Sequence, residues 1–175
     1  TLPGIDLIYP DPGFIVDKKE DLLGIILTHA HEDHIGAIAH LWPQLKCKIF
    51  ATPFTAVLIK EKLKEKNIDA TNYLKIVQLN GTVDLDPFKI EYITLTHSIL
   101  EPNGLRIETP AGVILHTGDW KIDPEPLIGE KINSDRLKEI GKEGVLAMVC
   151  DSTNVFSMGK AGSELDVRKS LLNIM

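Results

Sequence analysis

Short apolar runs recur along the chain and set the first expectation. They stand at Ile5 to Ile8, Ile25 to Thr28, Lys48 to Ala51, Leu74 to Leu79, Phe88 to Thr96, Leu105 to Glu108, Val113 to His116 and Val145 to Cys150. Runs of this length, rich in β-branched residues, predict strands. Thr109-Pro110-Ala111-Gly112 falls between two of them, with proline and glycine where a type I turn favours them, and predicts a hairpin. Helical signals interrupt the strands. One helix is expected to start near Asp33. Another begins with Thr52 as cap and Pro53 at the first helical position, which puts Ala56, Ile59 and Leu63 on one face. The pattern is mixed α and β.

The last signal is a capping box, Ser163 with Asp166, followed by Val167, Leu171 and Ile174 at helical spacing, with no stop before Met175. Thr1 is not an initiator, and Leu2-Pro3-Gly4 reads as the middle of a loop. Both ends are therefore expected to be cut from a longer protein. No repeat or low-complexity tract divides the chain, and 175 residues suit one domain.

Composition narrows the setting. No apolar run approaches the roughly 20 residues that span a bilayer, and no charged-then-apolar leader opens the chain. Cys47 and Cys150 lie far apart and outside any CxxC spacing, as free thiols of a reducing cytoplasm would. A net charge of -6 argues against a broad basic face for non-specific nucleic-acid binding. Carboxylates gathered around divalent cations make the same acidic count, so RNA is not excluded.

The segment Ile25-Ile26-Leu27-Thr28-His29-Ala30-His31-Glu32-Asp33-His34-Ile35-Gly36 carries the chemistry. An apolar strand ends at Thr28, so His29 and His31 continue in extended geometry, where alternate residues point to one side and can reach one ion. Asp33 and His34 follow at a helix start and face a second position nearby. Imidazole nitrogens and carboxylate oxygens are what zinc accepts where thiolates are absent. His97 ends the run Ile90 to Thr96, and Asp119 follows Val113 to His116 through Thr117-Gly118. Either alone reads equally well as a turn former or a satisfied polar group. Beside the first cluster, both become candidate ligands at strand ends.

At these residues the sequence resembles the metallo-β-lactamase superfamily, whose H-x-H-x-D-H signature is matched by His29, His31, Asp33 and His34. His97 and Asp119 match its next two metal-ligand motifs. The words Leu27 to Gly36, Thr96-His97-Ser98-Ile99, His116-Thr117-Gly118-Asp119-Trp120-Lys121 and Asp151-Ser152-Thr153-Asn154 are similar to the ribonuclease J group of β-CASP nucleases, over nearly the whole chain.

The resemblance implies an α/β metallo-β-lactamase fold, a four-layer αββα sandwich truncated at both ends, with residues 1–162 in that domain and 163–175 beginning a β-CASP domain. It implies two zinc ions, with manganese as the other metal suited to such N/O sites. His29, His31 and His97 would hold one, Asp33 and His34 the other, and Asp119 both. The implied activity is hydrolysis of RNA phosphodiesters by a hydroxide that the metal pair activates, endonucleolytic and 5′-exonucleolytic, in RNA processing and decay, leaving a 5′-phosphate. Asp33, Asp119 and Asp151 are the implied catalytic residues. Asp151 would orient a ligand or assist proton transfer, its plain alternative being a turn-forming Asp after a strand. The implied partners are RNA and further copies of the full-length protein, as a dimer or tetramer.

The chain departs from that pattern in two ways. The family's first pair of strands and a late histidine of the second zinc site are not found, which leaves activity of the fragment itself in question. Leu100-Glu101-Pro102 stands where the group more often has proline directly after isoleucine, read here as loop variation. Two other functions share the signature: a small-molecule hydrolase of thiolesterase type, and a non-catalytic RNA-binding subunit with a degenerate site. Asp151-Ser152-Thr153-Asn154 favours the nuclease. His40 is set aside as a surface residue, His116 and Cys150 as core residues, and Trp42 and Trp120 as packing rather than base-stacking groups. The Lys60 to Lys66 run is set aside as a solvated helix face.

Overall fold

The computed structural model describes residues 3–5 and 7–175; Thr1, Leu2 and Asp6 lie outside the described residues. After a helical turn, α1 (Gly13–Val16), strands β1 (Gly24–Ile26), β2 (Lys48–Ala51) and β3 (Leu74–Ile76) form a parallel sheet in the order β1-β2-β3. Ile25 lies opposite Ile49, and Ile49 opposite Leu74. Parallel neighbours need crossovers. Helices α2 (Glu32–Ile35) and α3 (Ile38–Leu45) supply the first, and α4 (Pro53–Glu65) the second.

The other sheet has five strands in sequence order: β4 (Thr82–Leu85), β5 (Phe88–Thr94), β6 (Asn103–Thr109), β7 (Gly112–His116) and β8 (Ala147–Val149). Its pairs are antiparallel except β7 with β8, which is reached through α5 (Ser134–Glu143) and runs parallel. Helix α6 (Glu164–Ile174) follows.

Side-chain alternation along the strands sorts the core into three seams. Ile49 and Ala51 join Trp42, Ala56, Ile59 and Leu63 between the small sheet and its helices. Phe50, between them in sequence, points the other way and packs with Val77, Val83, Ile90, Tyr92 and Leu105 between the two sheets. The Tyr92 hydroxyl, wholly buried there, donates to the Phe50 carbonyl at 3.1 Å. Ile93, the next residue, turns outward to Leu95 and Ile140, under α5. The layers are thus helix, sheet, sheet, helix, the αββα sandwich expected. Each fully buried isoleucine of these seams contributes roughly 1.5–3 kcal/mol.

Several local expectations need correction. Of the run expected from Ile5 to Ile8, Asp6 lies outside the described residues, and Ile5, Leu7 and Ile8 lie in no strand and are exposed, burying too little apolar surface to reward extension. Strand β4 was not anticipated: only Val83 of Thr82-Val83-Asp84-Leu85 is buried, too thin an apolar signal. The runs expected over Leu74 to Leu79, Phe88 to Thr96 and Val145 to Cys150 pair over shorter stretches, and β6 starts earlier, at Asn103. The hairpin stands, with Thr109 opposite Gly112. So does the Ser163–Asp166 capping box, bonded in both directions.

Trp42 is packed, its indole N–H donating to the Cys47 carbonyl at 2.9 Å. Trp120, expected to pack, is exposed, and so is Cys150, expected in the core, since β8, which it follows, carries no covering layer among the described residues. Thr52 sits at the cap of α4 as expected, yet its side chain makes no capping bond. No helix among the described residues is long and apolar enough to cross a membrane.

Candidate metal centre

β1, β5, β7 and β8 end at one edge of the sandwich, and the candidate residues stand on the loops that leave those ends. β1 runs out at Ile26, and the chain stays extended through His31, which at φ -66 and ψ 151 is the residue before the first turn of α2. That conformation lets His29 and His31 face one way while Asp33 and His34 ride on the helix. Gly36 ends this turn against the Glu32 carbonyl, where a Cβ would lie 2.5 Å away, so only glycine fits. Lys62 of α4 donates to Glu32 at 2.7 Å and holds the turn from outside.

His29 is fully buried. Its Nδ1 lies 3.0 Å from the Thr28 hydroxyl, and its Nε2, which no solvent reaches, has no hydrogen-bond partner among the described residues. A buried nitrogen left without a partner costs on the order of 1–3 kcal/mol unless something else takes its lone pair. Asp119 Oδ2 is 4.0 Å away, 3.3 Å from His34 Nε2 and 3.8 Å from His97 Nε2. His97 Nε2 lies 3.1 Å from His31 Nδ1. Two donors on one tetrahedral zinc stand about 3.3 Å apart, given metal–nitrogen bonds of about 2.0–2.1 Å.

Two groups of donors result, each with its ligand atoms within 4.8 Å of one another: His29, His31, His97 and Asp119, and Asp33, His34 and Asp119. All six expected ligands fall into one or both, and Asp119 belongs to each. The orphaned His29 nitrogen and the mixed imidazole and carboxylate set fit divalent cations.

Electrostatics favour lone pairs over protons. Burial, then the neighbouring His34 and His97 rings, lower the His29 pKa to about 4, against a smaller upward pull from Asp119. Burial and His31 lower that of His97, with Asp119 and Asp151 pulling upward. Both rings are therefore neutral at physiological pH, the form that binds metal.

Asp151 joins neither group. Its Oδ1 accepts the Thr153 hydroxyl at 2.7 Å and the Thr153 N–H at 2.9 Å, the turn-forming pattern held open as its plain alternative. Those bonds, the hydroxyl first, hold its carboxyl below the usual range, helped by the Trp120 amide and His97. His40 stacks on Tyr9 away from the site, and His116 Nδ1 accepts the Gly118 N–H at 3.0 Å.

Three supporting residues escaped the sequence reading. Glu101, at φ +53, extends its carboxylate to the Phe54 N–H at 2.8 Å and caps α4 in place of Thr52. Asn103 is buried and donates to the Thr28 carbonyl, next to His29. Asp123, 2% exposed, accepts the Glu164 N–H at 2.8 Å and the Glu125 N–H at 2.9 Å and pairs with Lys121 at 3.2 Å. Burial raises its pKa, and these donors outweigh burial and hold it low. An Asp two residues after Lys121 and an Asn-Gly pair both read as turn chemistry, so no local signal separated them from ordinary loop residues.

The chain belongs to the metallo-β-lactamase superfamily: the family's sequence profile, described as Metallo-beta-lactamase superfamily, matches residues 3–170. Within it, the chain is similar to curated proteins named Ribonuclease J. That of Sinorhizobium meliloti is 43% identical over 174 residues, which are 99% of this chain and 31% of that protein. Those of Helicobacter pylori strain 26695 and Corynebacterium glutamicum are 40% and 41% identical over 92% and 99% of this chain, each with 24% of the relative covered. The chain thus spans about a quarter to a third of the length of these relatives. A crystal structure of a protein of unknown function from Enterococcus faecalis V583 matches at a TM-score of 0.59 and 15% identity, over 86% of this chain and 38% of that one, a likeness of fold alone.

Proposed function

We propose that this chain is the metal-binding part of a ribonuclease J-like enzyme that hydrolyses RNA phosphodiesters, endonucleolytically and from the 5′ end. The observation that carries this reading is the meeting of six donors from three separated stretches, in a chain 43% identical to a Ribonuclease J. In this reading His29, His31, His97 and Asp119 hold one ion, and Asp33, His34 and Asp119 the other. Zinc suits these imidazole and carboxylate sets at both positions, with manganese the alternative for such N/O donors. Bound there, such a pair lowers the pKa of water and neutralises charge on a phosphoryl group.

The chain's own residues prepare for this. The Thr28 hydroxyl occupies His29 Nδ1 and leaves Nε2 facing the centre. Asp119 contributes the negative charge that both donor sets share. Asp151, held ionised by Thr153, is a poor proton acceptor at neutral pH, so of its two suggested roles orientation of the site beside His97 is favoured. We place the start of the following domain at Ser163: α6 has no buried residue, although the family match continues to residue 170.

The test is cleavage of 5′-monophosphorylated RNA by the intact protein, with and without a chelator, beside an Asp119→Ala variant. Loss of cleavage in both cases is expected. Cleavage that resists the chelator overturns the reading.

A further inference from the structure

Each of the three stretches that bring donors to the centre needs a fixed offset from the other two, and one buried residue touches all of them, two through its side chain and the third through its backbone carbonyl. Asn103 opens β6 and is 1% exposed. Its amide Nδ2 donates to the Thr28 carbonyl at 3.0 Å, and its backbone N–H reaches the same oxygen at 3.1 Å. Thr28 is the residue whose hydroxyl meets His29. The same Nδ2 donates to the Glu101 carbonyl at 2.7 Å, in the loop that begins at His97. On the remaining side the Asn103 carbonyl stands where a Cβ on Gly118 would lie 2.8 Å from it, so Gly118, at φ +57, lets the Asp119 loop close against Asn103.

We infer that Asn103 is a positioning residue of the metal centre, its side chain setting the spacing between the His29–His34 segment and the His97 loop. This rests on the metal reading above. Asn103 is itself no ligand; it acts through backbone carbonyls. The chemistry asks for an amide: a short side chain with two N–H donors on one nitrogen can hold two carbonyl oxygens at once. Aspartate has the same shape but, when ionised, only acceptors, and would face two oxygens with a third. Partners that orient ligands from behind commonly change metal affinity by about 10- to 100-fold when removed.

The experiment loads the intact, chelator-stripped protein with Co²⁺ and reads the visible d–d bands and the affinity by chelator competition. Wild type, Asn103→Ala and Asn103→Asp are compared with Val83→Ala, a cavity in the inter-sheet seam that touches no candidate ligand. The expected result is a loss of about 10-fold or more in Co²⁺ affinity, with altered band shape, for both Asn103 variants and not for Val83→Ala. If Asn103→Ala does not fold, Asn103→Ser, which keeps one small donor, is expected to lie between wild type and Asn103→Asp. Wild-type affinity and bands in the folded Asn103 variants overturn the inference, as does an equal loss in Val83→Ala. Absence of Co²⁺ bands in the wild type overturns instead the metal reading on which it stands.

Discussion

The carboxylate of Glu101 accepts the backbone N–H of Phe54 at 2.8 Å, so the loop that carries His97 is bonded to the exposed amides at the start of α4. A charge-assisted bond at a helix N-terminus is worth about 1–2 kcal/mol. Glu101→Ala is expected to lower stability by that much in urea unfolding, and Glu101→Gln by less, since the amide oxygen still accepts. Equal midpoints for all three proteins would show that the bond contributes nothing.

Gly118 is expected to be far less replaceable than Gly144. Both have positive φ, +57 and +93, but a Cβ on Gly118 meets the Asn103 carbonyl at 2.8 Å, whereas one on Gly144 meets no atom within 4 Å. Gly144→Ala should cost about 1–2 kcal/mol from backbone strain alone, and Gly118→Ala more than that. Thermal unfolding of the two variants decides the order.

Stability of the chelator-stripped protein should fall with acid in a defined window. His29, with its pKa lowered to about 4 from the usual 6.5, is neutral when buried and takes up a proton more readily in the unfolded chain. Its contribution is therefore intact above pH 6.5 and lost as pH falls toward 4, an effect of about 3 kcal/mol. Denaturant midpoints at pH 7 and pH 4.5 measure the drop. A His29→Leu variant should show a shallower one.

Asp119→Ala should leave less than one equivalent of zinc per chain after equilibration and desalting, since it removes the carboxylate common to both donor groups. Asp33→Ala should spare the group that lacks it and retain about one equivalent. Elemental analysis distinguishes these outcomes, and equal zinc content in the two variants would contradict the shared role of Asp119.

Asp123→Ala should free α6. Asp123 holds the first amide of that helix, and its own N–H reaches the Thr96 hydroxyl at 3.2 Å, one residue before His97. Amide exchange over residues 164–174 is expected to rise by an order of magnitude or more, while exchange in β2 stays unchanged.

How much of this the sequence reveals depends on distance along the chain. The His29-Ala30-His31-Glu32-Asp33-His34 cluster is legible because strand and helix geometry over neighbouring residues suffices to aim four donors. His97 and Asp119 become legible only as strand ends, and only beside that cluster. Glu101, Asn103 and Asp123 act across loops, and the pairings Glu101–Phe54 and Asn103–Thr28 join residues 47 and 75 positions apart, a relation that no local pattern encodes. The strands err in the same sense: β4 buries only Val83 and is fixed by β5 beside it, while Ile5, Leu7 and Ile8 belong to a run with the composition of a strand yet lie in no strand among the described residues.

The donors do not all hang from one sheet. His29, His31, Asp33 and His34 follow β1, whereas His97 and Asp119 follow β5 and β7 on the opposite side of the Phe50 and Tyr92 seam. An ion seated among them would rivet the two halves of the sandwich at their common rim. Any sliding of one half over the other would then be felt first as loosened metal, well before the apolar filling between them gave way.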